Sequence, residues 1–210
     1  MRFLLFMTLL MVGVGAHAGK THPIVKYGKV DPSEFSPTVY SVDSSADAVY
    51  LYDKGNVYYE GNTQGFFSIV QERLCRIRLL HKQAFSDIAT IEIPLYTPPK
   101  EATSEYEKLI SLEAATYNLE NGKVETVKVD KASIFKQLSG NFTTMKFTFP
   151  NIKEGSIIEF HYKKSSSRFW DMDDWFFQGQ YPRLWSEFQI VMPEIFNFIM
   201  SPPRLQKSGL

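Results

Sequence analysis

From Asp47 to Met200 the chain is written in short runs of alternating apolar and polar residues, closed by glycine, proline or Asn/Asp-containing turns. A period of two sends successive side chains to opposite faces of a strand, so each such strand needs a second layer against which to bury its apolar face. Asn141–Pro150 shows this most cleanly, with Phe142, Lys146 and Thr148 on one side and Met145, Phe147 and Phe149 on the other. Between the runs Glu107–Leu119 and Lys123–Val129 lies Glu120-Asn121-Gly122-Lys123, and Asn-Gly is the dipeptide that tolerates the positive φ angles of a tight hairpin turn. Lys153-Glu154-Gly155 turns into a strand over Ser156–Lys164, and Trp185–Met192 and Glu194–Met200 supply the last strands.

The remaining segments fit the same pattern. Ala48–Tyr52 and Val57–Glu60 read as a hairpin around a glycine-containing turn at Asp53-Lys54-Gly55-Asn56. Phe66–His81 has helical propensity, but Cys75, Ile77 and Leu79 alternate with Arg76 and Arg78 and no helix cap precedes it, which favours a strand. Ile88–Leu95 alternates again and is closed by Pro94, while Lys131–Leu138 suits one or two turns of helix. Before Asp47, residues 19–46 are polar and broken by Pro23, Pro32 and Pro37, an extended lead-in with an edge strand or a short helix near Pro32–Phe35. About nine strands at hairpin spacing, with one or two short helices, predict an all-β fold: an antiparallel β-sandwich or a strongly twisted sheet.

Residues 1–18 are expected to be a cleaved leader. Arg2 supplies a basic start, Phe3–Val14 an apolar run too short to cross a bilayer, and Ala16-His17-Ala18 the small residues that a signal peptidase reads. Cleavage after Ala18 implies a secreted or periplasmic protein. Removing these eighteen of 210 residues leaves 192, enough for a real core, and takes away only one of the 23 basic side chains against 23 acidic ones. A net charge near zero gives no electrostatic pull toward nucleic acid, and no later segment is apolar enough to span a membrane. The one cysteine, Cys75, precludes an internal disulfide and any thiolate metal cluster, so stability must come from packing.

Five blocks in order carry a family likeness: Leu51-Tyr-Asp-Lys-Gly55, Tyr117-Asn-Leu-Glu-Asn-Gly-Lys123, Phe147-Thr-Phe-Pro-Asn151, Lys153-Glu-Gly-Ser-Ile-Ile-Glu159, and Trp175-Phe-Phe-Gln178 followed by Tyr181-Pro-Arg-Leu-Trp-Ser-Glu187. Over roughly residues 47–200 the chain resembles the domain of unknown function that precedes transglutaminase-like (cysteine-protease-type) modules in secreted Bacteroidetes proteins. The resemblance implies an all-β unit without established activity, and a partner module lying downstream in the same polypeptide. Pro202–Leu210 reads as a frayed tail, and the expectation is a fragment or a truncated reading frame, so the catalytic residues of that module have no positions here.

Residues 157–193 hold all 3 tryptophans of the chain. Trp170, Trp175, Tyr181 and Trp185 are the candidate binding residues. They suit, in this order, closure of the open end of the sandwich, docking of the missing module, or stacking against carbohydrate, the alternative partner. Asp171, Asp173 and Asp174 form the one acidic cluster in a loop, but the aromatic residues that follow break the pattern of a calcium loop. His22, His81 and His161 are isolated and lack metal-ligand spacing. Cys75 reads as a buried strand residue, and a hydrolase would require His81 or His161 to reach it. Glu159 and Glu187 lie in alternating strands, where outward carboxylates are expected. The sequence therefore offers no catalytic residues, metal site or cofactor, and the chain is expected to be a non-catalytic accessory domain.

Overall fold

A computed structural model describes residues 25–62, 66–99 and 105–194. The predicted leader, the predicted tail and all of the predicted strand Glu194–Met200 beyond Glu194 lie outside the described residues. The described residues form strands β1 (Ala48–Gly61), β2 (Phe67–Leu79), β3 (Thr90–Tyr96), β4 (Glu107–Glu120), β5 (Lys123–Lys128), β6 (Phe135–Ser139), β7 (Phe142–Thr148), β8 (Ile157–Ser166) and β9 (Ser186–Val191). One short helix, α1 (Phe85–Ile88), and three single-turn 3-10 helices accompany them. The large sheet runs β5-β4-β8-β2-β1-β9 and the small one β3-β7-β6. Every pairing is antiparallel except β1 with β9, which is parallel, so the antiparallel sandwich expected from sequence has a mixed edge.

The core lies where alternation sends the apolar positions. Cys75, Ile77 and Leu79 of β2 and Ile158 and Phe160 of β8 meet Ile93 and Leu95 of β3 and Met145 and Phe147 of β7. Ala84 and Ile88, at the corner before β3, close one end of this core. Pro94 sits in β3, an edge strand whose outer side needs no ladder donor. The β4–β5 hairpin turns at Asn121 (φ 51°) and Gly122 (φ 76°), as the dipeptide predicts.

Two local expectations fail for identifiable reasons. Asp53–Asn56 is not a turn, because β1 runs unbroken through it and pairs with β2 from Ala48 to Gly61. A bulge at Leu51 re-phases the strand, after which Asp53 stands opposite Cys75 and Gly55 opposite Arg73. Lys131–Leu138 holds only a 3-10 turn over Lys131–Ser133, and β6 then takes the chain as a partner of β7.

The second face of the large sheet is covered by the lead-in. Its 3-10 turn Pro32–Phe35 is capped reciprocally by Asp31 and Glu34, and Phe35 packs with Ala115, Tyr117 and Ile157. Beneath it lies a buried ion cluster. Glu159 is wholly buried and accepts from Arg76 Nε (3.0 Å) and Nη2 (2.6 Å), from Tyr117 Oη (3.0 Å) and from the Gly28 amide (2.8 Å). Arg76 Nη1 reaches both carboxylate oxygens of Glu34 at 2.8 Å, and Arg78 donates to the Phe35 carbonyl at 2.7 Å with its guanidinium over the Phe35 ring. Glu159, expected to face outward, instead fastens the lead-in to the sheet. Removing one partner of such a cluster would leave an uncompensated buried charge, a cost of about 3–5 kcal/mol.

Candidate functional site

The polar end of the sandwich is built from residues that alternation places on the inward face but that are not apolar. Arg73 and Gln71 share the face of Cys75, and Lys164 shares that of Phe160 and Tyr162. Asp53, opposite Cys75, is fully buried. Arg73 grips it in bidentate fashion, Nε to Oδ1 and Nη2 to Oδ2, both 2.9 Å, and Arg183 Nε adds a third bond to Oδ2 at 3.2 Å. Arg183 also stacks over Tyr50, 4.4 Å from the ring centre, while the Arg73 guanidinium lies between the rings of Phe160 and Trp175. Lys164 is buried and binds Glu107 at 3.2 Å and Asp173 at 2.7 Å. Burial pulls its ammonium down, but the carboxylates of Asp173 and Glu107 outweigh this and leave its pKa above the ordinary value.

These groups floor a cavity of about 270 Å³ between the two sheets. Phe160, Tyr50 and Tyr162 form part of its wall, and five consecutive residues of β3, Thr90–Pro94, form its opposite side. Burial pushes the Tyr50 hydroxyl up to about 12. A smaller recess of about 70 Å³ adjoins and shares Arg73, Tyr162 and Asp173 with the cavity. Gln71 lines the recess; its Oε1 accepts from the Asp173 amide at 3.2 Å, whereas its Nε2 is buried with no hydrogen-bond partner among the described residues. Sequence reasoning missed this constellation, because Asp53 and Arg183 lie 130 positions apart. The available signal was parity: a charged residue in phase with an apolar stripe points inward.

The loop from Ser167 to Trp185 caps this end, and the predicted binding residues are distributed along it. Trp175 stacks on Phe188 (5.1 Å between centres, 20° between planes), donates to Ser186 Oγ and lies over Gly55. Tyr181 donates to Asp87 at 2.8 Å, and Trp185 donates to Glu187 at 3.1 Å. These three rings are half-buried. Trp170 alone of the four is exposed, edge-on to Phe169. Phe176, Phe177 and Leu184, on the same loop, are exposed as well.

The other candidates are held apart. Cys75 is inaccessible, and burial, then the neighbouring Asp53, push its thiol well up. His161 lies in β8 opposite Leu74, on the other face from Cys75, with its ring beside Tyr27 of the lead-in; His81 meets Asp47 at 3.0 Å. Glu187 pairs with Lys54 at the sheet edge, while Glu159 is in the buried cluster of the second face. Asp171 pairs with Arg168 and Asp173 with Lys164, and among the described residues no group of three or more His, Cys, Asp or Glu side chains is placed to hold a metal ion. His22 lies outside the described residues. No helix among the described residues is long and apolar enough to cross a membrane.

A family model described as a domain of unknown function with solved structure, DUF3857, matches residues 70–206. No curated protein matches the chain. Among solved structures, a chain from Parabacteroides distasonis, provisionally assigned as a protease, is similar at 13% identity and a TM-score of 0.43, over 58% of this chain and 23% of that one. Yeast LTA4 hydrolase in complex with bestatin is similar at 10% identity and a TM-score of 0.29, over 70% of this chain and 18% of that one. The chain thus spans less than a quarter of either solved chain.

Proposed function

Because the chain belongs to the DUF3857 family, we propose that it is a secreted, non-catalytic accessory sandwich that packs against and orients a transglutaminase-like module of the same polypeptide. The observation that carries this reading is the loop Ser167–Trp185. Its polar anchors, Asp173 on Lys164, Arg183 on Asp53 and Tyr181 on Asp87, hold it in place, while Trp170, Phe176, Phe177 and Leu184 are left exposed on it. A loop tied down by its charges that turns its large apolar groups to solvent presents a preformed contact surface at little ordering cost. The inaccessible, proton-retaining thiol of Cys75 supports a non-catalytic role. A carbohydrate platform would need two of the four predicted rings free side by side, and one is exposed, so docking is favoured.

The test uses the complete reading frame of the gene. If it encodes a cysteine-, histidine- and aspartate-bearing module after this domain, hydroxyl-radical footprinting of the full protein should show Trp170, Phe176 and Phe177 protected relative to the separate domain. Equal labelling in both, or a frame without such a module, would overturn the proposal.

A further inference from the structure

The inter-sheet cavity combines an unused strand edge with cationic donors, Lys164 buried and Arg73 half-buried, which the loop meets through Asp173 and Trp175 and not through its exposed apolar residues. Thr97 donates to the Asn141 carbonyl and Phe149 to that of Ala89, so the odd-numbered residues of β3 turn their backbone groups toward β7. The even-numbered ones, Thr90, Glu92, Pro94 and Tyr96, then turn theirs toward the free edge. That edge is closed at one end. Pro94 has no amide hydrogen, and the Tyr96 amide is taken by Glu107 Oε2 at 2.8 Å. Thr90 and Glu92 are left as a short pairable stretch, and both line the cavity. Opposite them lie the Arg73 guanidinium and the Lys164 ammonium, and the adjoining recess holds the buried, unpartnered Nε2 of Gln71. The Lys164 side chain is 2% exposed, whereas its partner Asp173 is 53% exposed at the rim; the Glu92 side chain points away from the cavity to Lys146, so Glu92 contributes its backbone alone.

We propose that this cavity binds the C-terminal end of an extended peptide, its terminal carboxylate seated on Arg73, Lys164 and Gln71 and its backbone paired with the free edge of β3 at Thr90 and Glu92. Strand addition supplies hydrogen bonds that do not depend on the peptide's sequence, and the cationic donors select for a free carboxylate. The short stretch before Pro94 restricts the paired part to the last residues of the peptide. Asp173, which now neutralises Lys164 from a half-exposed position, is the group that an incoming carboxylate displaces.

The experiment is a titration of the full chain, followed by amide chemical shifts, with a mixed library of N-acetylated tripeptide acids, the same library as C-terminal amides, and acetate. Saturable shifts at Thr90, Glu92 and Gln71 are expected with the acids, with affinity about tenfold weaker for the amides, the loss of one charge-assisted contact. Glu92→Pro, which removes one edge amide at a position equivalent to the natural Pro94, should retain the fold and weaken the acids to the level of acetate. Equal affinity for acids and amides, undiminished binding in Glu92→Pro, acetate binding as tightly as the acids, or no saturable shift with the library would each overturn the proposal. Because the footprint at Trp170, Phe176 and Phe177 is read independently, failure here leaves the docking proposal standing, and the reverse.

Discussion

Gly55 shows how one residue can look like a turn and serve as a contact surface. It lies mid-strand in β1, and a Cβ built on it would come within 2.6 Å of Phe188 Cδ2 and 2.7 Å of Trp175 Cζ3. Gly55→Ala should therefore push the Trp175–Phe188 stack off the sheet and destabilise the fold by about 1–3 kcal/mol. Urea unfolding followed by tryptophan fluorescence measures this; a change below about 0.5 kcal/mol, the ordinary surface range, would mean that the stack is not held against the strand. The sequence reading of this position erred because a glycine in an alternating run has two meanings, turn and close approach, and only the partner of the approach separates them. Glu159 was misread for a related reason. Alternation assigns it a face, but the second face of the large sheet is solvent-exposed only if nothing covers it, and the lead-in does. Arg73 and Lys164 were legible as inward-pointing by their phase, whereas their carboxylate partners come from β1, β4 and the capping loop.

At the scale of elements, hairpins were the most legible feature, because both strands and the turn are contiguous: β4 and β5 lie close to where Asn121-Gly122 puts them, and β2 and β7 to where alternation does. The lead-in was legible only as proline-broken chain. Its role depends on Arg76, Arg78 and Glu159, which lie far along the sequence and convert an irregular segment into a cover for the sheet. The family match begins at residue 70, inside β2, and so leaves out both the lead-in and β1, an inner strand of the large sheet. A fragment limited to residues 70–206 should therefore fail to fold, with a disordered far-UV circular dichroism spectrum and no cooperative melt, whereas one starting at residue 25 should retain both. A cooperative melt from the shorter fragment would show that β2 does not need β1 and that the second face does not need its cover.

For the whole molecule, the all-β class and the strand number follow from a period of two, but the division into sheets of six and three strands and the parallel edge depend on long-range partners that no local pattern encodes. The interior that results should be sensitive to alkali. Burial raises the proton affinity of Cys75 and of Tyr27, Tyr50 and Tyr117, the Tyr50 hydroxyl to about 12. A group that holds its proton more tightly when folded gives its full stability below its unfolded pKa and loses it as pH rises toward the folded value. Stability to urea should accordingly be flat between about pH 6 and 8, decline from about 8.5 as the thiol of the unfolded chain ionises, and fall more steeply above about 10 with the tyrosines. Cys75→Ala should move the onset up toward 10; an onset that does not move would remove the thiol from this account. The parallel pairing of β9 with β1 carries a further consequence. Arg183, in the loop just ahead of β9, bonds Asp53 across 130 positions and β9 pairs only after it, so the outer edge of β1 has no partner until nearly all of the described chain is available. A chain emerging from the ribosome with its amino end leading would stay unlatched during synthesis, and the same buried carboxylate that seats two arginines would act as the catch that shuts once β9 has emerged.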